Sequence, residues 1–328
     1  MSAIRIWLVA SCAIVALASC GKKTEAPGAQ SPPGAAEAPV AAGPTVKVNE
    51  GEAVDGDVTL TIPATAVAGA EIAVAFTGPA NARDYIDIVP RGYTQTSGEL
   101  TYIYIPAAAK GEKLRVLTTP GEYDVRYILD LNGVRKVKAI QPLSITAAAA
   151  TLKAPASAAS AEPLSIEWTG PAGQGDYIDV APKGQSAPSG EIAYAYTTNG
   201  NPAKFSAPGA VGEYQIRYIL EGPGGRKVLA SAPLTITQAS ASLTAPDVAD
   251  RGKTLIVEYE GPKRAGDYVD LVKKGYIATS GELSYFYADG KTANELKLPT
   301  DPGEYDIRYV MEAPGGRIVL AKRTLRVR

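Results

Sequence analysis

Asp176-Tyr177-Ile178-Asp179-Val180, and then Gly212-Glu213-Tyr214-Gln215-Ile216-Arg217-Tyr218-Ile219-Leu220, decide how this chain folds. Apolar side chains occupy every second position: Ile178 and Val180 in the first run, Tyr214, Ile216, Tyr218 and Leu220 in the second. A period of two is that of a half-buried antiparallel strand, because successive side chains point to opposite faces of a sheet. The same alternation puts Leu164, Ile166 and Trp168 on the inner face of a third strand, and Ile192, Tyr194 and Tyr196 on that of a fourth. Thr169-Gly170-Pro171, Pro182-Lys183-Gly184 and Gly222-Pro223-Gly224-Gly225 interrupt these runs with turn residues. About seven short strands in about 90 residues make an all-β antiparallel sandwich.

The unit occurs three times. Asp84-Tyr85-Ile86-Asp87-Ile88, the run at 176 and Asp267-Tyr268-Val269-Asp270-Leu271 start at 84, 176 and 267, offsets of 92 and 91 residues. Ser97-Gly98-Glu99, Ser189-Gly190-Glu191 and Ser280-Gly281-Glu282 keep step, as do Gly121-Glu122-Tyr123, Gly212-Glu213-Tyr214 and Gly303-Glu304-Tyr305. A period of this size is a small domain rather than a solenoid turn. The repeats are read as 53–147, 148–238 and 239–328. Asn132-Gly133 takes the place of the Gly-Pro-Gly-Gly hairpin turn in the first. Phe76, Trp168 and Tyr259 occupy one equivalent slot and are expected at the sandwich centre.

Composition removes most catalytic chemistry. The chain has no His and two Cys, which excludes His/Cys zinc sites, Ser-His-Asp triads and Cys-His nucleophiles and leaves only carboxylate-pair or Ser/Lys chemistry. No catalytic residue and no cofactor is therefore assigned. Lys and Arg number 33 against 34 Asp and Glu, without a long basic run, so nucleic acid is not expected as a partner.

Arg5 precedes an apolar stretch, Ile6 to Ala18, that is too short to cross a bilayer as a helix and reads as an export signal. It ends in Leu17-Ala18-Ser19-Cys20, followed by polar Gly21-Lys22-Lys23, and this resembles the lipobox of bacterial lipoproteins. The resemblance implies removal of 1–19, acylation of Cys20 and a membrane partner reached through lipid, since two acyl chains anchor stably where one does not. In that family Asp after the Cys retains the protein in the inner membrane; Gly21 there favours the outer membrane, with periplasmic or surface exposure left open. Residues 20–52, rich in Ala, Pro and Gly, read as a disordered tether. About 25 such residues span roughly 80 Å if fully extended and roughly 28 Å as a coil.

The Gly-Glu-Tyr-x-(Ile/Val)-Arg-Tyr runs resemble the late strand of immunoglobulin and fibronectin-III folds, which implies a tyrosine corner at Tyr123, Tyr214 and Tyr305. As a whole the repeats resemble the immunoglobulin-like modules that accompany von Willebrand factor A domains in some bacterial envelope proteins. The Asp-x-Ser-x-Ser metal motif of those A domains is absent from this chain.

Strand alternation turns Asp87, Asp179 and Asp270 to the face opposite the core, with Arg126, Arg217 and Arg308 beside them and Tyr85, Tyr177 and Tyr268 adjacent. These nine residues are the candidate binding face, expected to be exposed. The plain reading is a cross-strand ion pair worth up to about 1 kcal/mol; the sharper one is a recognition patch for an envelope protein or glycan. A calcium site at Asp84, Asp87 and Glu99 is a third reading, weakened by the competing Arg and by the lack of an EF-hand-like run. Tyr93 and Tyr276, after Arg-Gly and Lys-Gly turns, are expected at the surface. The sequence thus describes a non-enzymatic, lipid-anchored envelope protein that binds or spaces, with a carbohydrate-binding array as the alternative. Cys20→Ala is expected to abolish lipidation; metabolic labelling with a fatty acid checks it, and label retained in the variant would refute the assignment.

Overall fold

The computed structural model describes residues 46–328. The export signal, Cys20 and the tether up to residue 45 lie outside the described residues. Within them no helix is long and apolar enough to cross a membrane.

Strands fall into three sets, and the middle one shows the plan. A three-stranded sheet runs in the order Thr151–Lys153, Pro163–Thr169, Ala203–Ser206. A five-stranded sheet opposite it runs Ser157–Ala159, Lys227–Thr237, Gly212–Leu220, Tyr177–Pro182, Ala193–Tyr196. All pairings are antiparallel except that of Ser157–Ala159 with Lys227–Thr237, where Ala158 faces Ile236. The third set repeats both sheets strand for strand. In the first set the five-stranded sheet is retained, while the opposite sheet is divided into the pairs Thr59–Thr61 with Ala75–Thr77 and Glu71–Ile72 with Leu114–Arg115.

Each sandwich encloses its own apolar core. In the middle one Leu164 and Ile166 from the smaller sheet meet Ile178, Val180, Ile216, Tyr218 and Leu234 from the larger. The late strand carries a register shift at the same place in every copy, between Tyr127 and Ile128, Tyr218 and Ile219, Tyr309 and Val310. Such a bulge is a retained structural device that bends and twists the strand. Phe76 and Tyr259 are buried as expected, whereas Trp168 is only half-buried; each packs on the late-strand tyrosine of its own repeat, Tyr127, Tyr309 and Tyr218.

Neighbouring repeats are joined by the same backbone contact. Thr118 N–H donates to the Pro223 carbonyl at 2.8 Å, and Gly209 N–H, in the equivalent place, donates to the Pro314 carbonyl at 3.0 Å. Glycine is needed at 209, because an added Cβ would lie 2.6 Å from Ala313 Cβ. Side chains reinforce the two junctions from opposite sides: Arg115 of the first repeat donates to the Gln174 and Glu221 carbonyls, while Arg264 of the third donates to the Ser160 carbonyl. The tether expected through residue 52 is shorter than that reading. Asn49 pairs with Asn81 as an isolated bridge, and its N–H donates to the Ala80 carbonyl, so the segment from Val46 lies on the first repeat.

The tyrosine corner is present in all three copies: Tyr123, Tyr214 and Tyr305 hydroxyls donate to the carbonyls of Thr119, Ala210 and Asp301, each four residues earlier, at 3.1, 3.0 and 2.9 Å. Tyr214→Phe in a fragment of residues 148–238 is expected to cost about 1 kcal/mol through the lost bond. Urea denaturation of the fragment measures it.

Candidate functional site

The Asp and Arg of each repeat meet in direct register: Asp87 opposite Arg126, Asp179 opposite Arg217, Asp270 opposite Arg308. Each pair is bidentate. Arg217 Nε donates to Asp179 Oδ1 at 2.9 Å and its Nη2 to Oδ2 at 2.6 Å, and the other two pairs agree within 0.1 Å.

These pairs are not exposed. All six side chains are at most 1% accessible, and Tyr85, Tyr177 and Tyr268 are also buried. Alternation assigned the correct sheet face, but the connection between the strands Tyr177–Pro182 and Ala193–Tyr196 folds back over it. Carbonyls of that loop saturate the guanidinium: Gln185 and Ala187 accept from Arg217 Nη1 at 3.2 and 2.7 Å, and Pro188 accepts from the Tyr177 hydroxyl. Tyr93, Gln95 and Thr96 carbonyls do the same in the first repeat, and Tyr276, Ala278 and Thr279 in the third. Five consecutive residues of the strand that carries the Asp, next to the edge strand of the sheet, are buried as a result, on both faces. The nine residues read as a binding face are therefore buried beneath that loop.

Burial pushes the Asp179 carboxyl up from its ordinary value, and the carboxylate beside it holds the Arg217 guanidinium charged. Burial, followed by the charge of Glu191, pushes the Tyr177 hydroxyl up to about 12. Asp84, considered above for calcium, is occupied by protein donors: the Tyr127 hydroxyl at 2.7 Å, the Asp130 N–H at 2.9 Å and the Asn81 N–H at 3.0 Å. Asp87 is taken by Arg126, and among the described residues no three His, Cys, Asp or Glu side chains are grouped to hold a metal.

The exposed aromatic surface is elsewhere. Tyr102 and Tyr104, Tyr194 and Tyr196, Tyr285 and Tyr287 lie on the edge strand of the larger sheet, and each is between 43% and 57% accessible. Alternation was expected to turn Tyr194 and Tyr196 inward; instead Ile103, Ala195 and Phe286, the residues between the tyrosines, enter the core. The rings of each pair meet edge to face at 5.3 to 5.6 Å. Beneath them Tyr85 and Tyr177 contact both rings of their pair and Tyr268 contacts Tyr285, and Arg135, Arg226 and Arg317 lie over those buried rings at 5.4 to 5.6 Å. Tyr93 and Tyr276 are exposed as expected and also cover the buried Arg126 and Arg308. The signal available in sequence was the Tyr-x-Tyr spacing itself, which occurs at one place in each repeat with a different apolar residue between the rings.

In the first repeat this surface deepens into a cleft of about 510 Å³ bordered by Arg83, Tyr85, Tyr104, Lys110, Asp130 and Arg135. A five-residue helix, Ile105–Ala109, forms one wall where the second repeat has the single turn Thr197–Asn199. Arg83 replaces glycines of positive φ, Gly175 and Gly266, in the other repeats.

No protein-family model and no curated protein sequence matches the chain. Among solved structures, the FN1–FN3 domains of chicken CNTN1 match at 12% identity, with 85% of this chain and 100% of that one covered and a TM-score of 0.25. Three N-terminal domains of the bacteriophage RB49 outer capsid protein Hoc match at 10% identity, covering 83% and 97%, with a TM-score of 0.24. A two-domain fibronectin type III segment of chicken tenascin matches at 14%, covering 55% and 98%, with a TM-score of 0.26.

Removing one partner of a desolvated pair leaves the other charge buried and uncompensated. Asp179→Ala in the 148–238 fragment is therefore expected to cost about 3–5 kcal/mol, well beyond the 1 kcal/mol of an exposed pair. Chemical denaturation decides between them. By strand order, by the parallel pairing of the second strand of each repeat with its last and by the tyrosine corner, the chain carries three tandem immunoglobulin-like, fibronectin-III-like sandwich repeats.

Proposed function

We propose that this chain is a non-enzymatic lipoprotein of the cell envelope, anchored through acylated Cys20, that captures a partner through the tyrosine surfaces of its three repeats. One observation carries the reading: six half-exposed tyrosines, paired at the same edge of every sandwich, serve no core. Large aromatic side chains with a hydroxyl rim are the residues that concentrate binding energy at interfaces. Three copies on one chain supply avidity without a catalytic constellation. The lipobox, the Gly at 21 and the likeness to repeats that accompany von Willebrand factor A domains support an envelope location, with the outer membrane favoured.

A second reading, a carbohydrate-binding array, is favoured by the ring orientation. In an edge-to-face pair one ring leaves its apolar face free for the C–H face of a sugar, while the hydroxyls and the neighbouring Arg supply polar contacts. The test is replacement of all six tyrosines by Ala in the full-length protein, followed by cross-linking in the native cell. Folding is expected to persist, since the six positions are exposed, and partner capture is expected to fall at least about tenfold. Undiminished capture with intact folding would refute a role for these surfaces.

A further inference from the structure

Charge separates the first repeat from the other two at otherwise equivalent positions. In the second, Arg226 lies over Tyr177 and is neutralised one to one by Glu221 at 2.5 Å; in the third, Arg317 is neutralised by Glu312 at 2.8 Å. In the first, the corresponding carboxylate is the shorter Asp130. Its side chain is buried, 3% accessible, and is shared between Arg83 at 3.8 Å and Arg135 at 3.6 Å. Asp130 Oδ1 also accepts the Gly133 N–H at 2.7 Å. Two guanidiniums thus share one carboxylate whose capacity is partly spent on backbone. Arg83 keeps 67% of its side chain in solvent, and Lys110, at the end of the helix Ile105–Ala109, makes no ion pair among the described residues. The cleft also has an apolar wall, the exposed ring of Tyr104 with Pro106 and Ala107, and one further carboxylate, Glu112.

We propose that the cleft of the first repeat binds an acidic sugar unit, a pyranose ring carrying a carboxylate, within an envelope or extracellular polysaccharide. Each part of such a unit has a counterpart. The carboxylate meets Arg83, Arg135 and Lys110, where guanidinium–carboxylate pairing is favoured by planar geometry and charge. The ring's C–H face lies on Tyr104, as an apolar surface on an aromatic one. The hydroxyls donate to Glu112. At about 510 Å³ the space falls within the range of small-ligand sites, about 300–1,000 Å³. A merely anionic ligand would use the cations and leave the aromatic wall unused; a neutral sugar would use the wall and leave the excess cations unpaired. The proposal rests on the tyrosine surface as a recognition surface only for Tyr104 and Arg135, because Arg83, Lys110 and the helical wall belong to the first repeat alone.

Isothermal titration of the full-length protein in detergent with tetragalacturonate, neutral galactotetraose and a tetraglutamate peptide tests this. The acidic tetrasaccharide is expected to bind saturably, and both other probes at least about tenfold more weakly. Lys110→Glu and Arg83→Glu are each expected to weaken it at least about tenfold, as is Tyr104→Ala, with unchanged thermal unfolding. Lys291→Glu, a charge reversal on the exposed surface of the third repeat, is expected to leave this binding unaltered. Equal binding of tetraglutamate would reduce the site to a charge patch, and equal binding of the neutral sugar would remove the role of the cations; either result overturns the proposal. So does a lack of saturable tetragalacturonate binding up to about 10 mM, or an effect of Lys291→Glu equal to that of Lys110→Glu. Lys110 is exposed and outside any core, so its variant remains interpretable if the others misfold. Retained partner capture in cells by the Lys110 variant, with loss in the six-tyrosine variant, would leave the broader function standing while the cleft assignment failed.

Discussion

Every repeat is organised around a carboxylate and a guanidinium held together beneath a loop. Desolvating two charges costs several kcal/mol per ion, and their attraction offsets this only when geometry is good and the remaining donors are satisfied. Both conditions are met three times. The fork of Arg217 engages both oxygens of Asp179, and its remaining amino group reaches two carbonyls of the covering loop. An apolar pair of the same volume would give comparable stability but could not specify where the loop lies, since apolar contact has no direction. The ion pair pins the loop, the loop buries Tyr177 through the Pro188 carbonyl, and Tyr177 supports the exposed pair Tyr194 and Tyr196. The tyrosine surface proposed for recognition thus stands on a hydrogen-bonded polar base, which would limit the ordering cost that a binding surface incurs on association.

Much of this was legible in the sequence. Period-two alternation located the strands, the triple recurrence of three short motifs located the repeats, and Gly-Glu-Tyr located the corner. Alternation also assigned Asp179 and Arg217 to one sheet face and placed them together. It did not show whether that face meets water, because facing away from the core is a local property of one strand, whereas exposure depends on where a connection of about ten residues folds back. The fixed Ser-Gly-Glu in that connection was a trace of the constraint. Gly98, Gly190 and Gly281 all have positive φ, and a Cβ at Gly98 would lie 2.5 Å from the Tyr93 hydroxyl, so the loop can close only with Gly there.

The edge tyrosines were misplaced for a related reason. Reading Ile192, Tyr194 and Tyr196 as one apolar face treats Tyr as a core residue, which it is at Tyr214 and Tyr218, where the hydroxyl finds a partner at the sandwich rim or on Asp176. At an edge strand the choice between two faces is close, and the residue between the tyrosines decides it. Ile103 and Phe286 are large enough to fill the core position; Ala195 is not, but Trp168 and Phe205 pack at the margin of the same core. Comparing all three copies at that strand resolves what a single copy leaves ambiguous.

Repetition with one departure also explains why the cleft is confined to the first repeat. The pole where the late hairpin turns is occupied in the second and third repeats, because Pro223 and Pro314 there accept backbone hydrogen bonds from the preceding repeat. Side chains at those poles answer to the junction: glycine at 175 and 266 leaves room for Glu221 and Glu312, whose carboxylates neutralise the local Arg. Among the described residues, the same pole of the first repeat meets the short segment that bridges at Asn49, and its hairpin turns on Asn132-Gly133 instead of Gly-Pro-Gly-Gly. Freed from docking a sandwich, it can accept the bulk of Arg83 and the helix at Ile105–Ala109, and it can leave a positive charge unneutralised. An uncompensated cation is a liability at a packed junction and tolerable at an open one, so the same scaffold position serves cohesion in the second and third repeats and, in the first, forms the cleft proposed above as a ligand site.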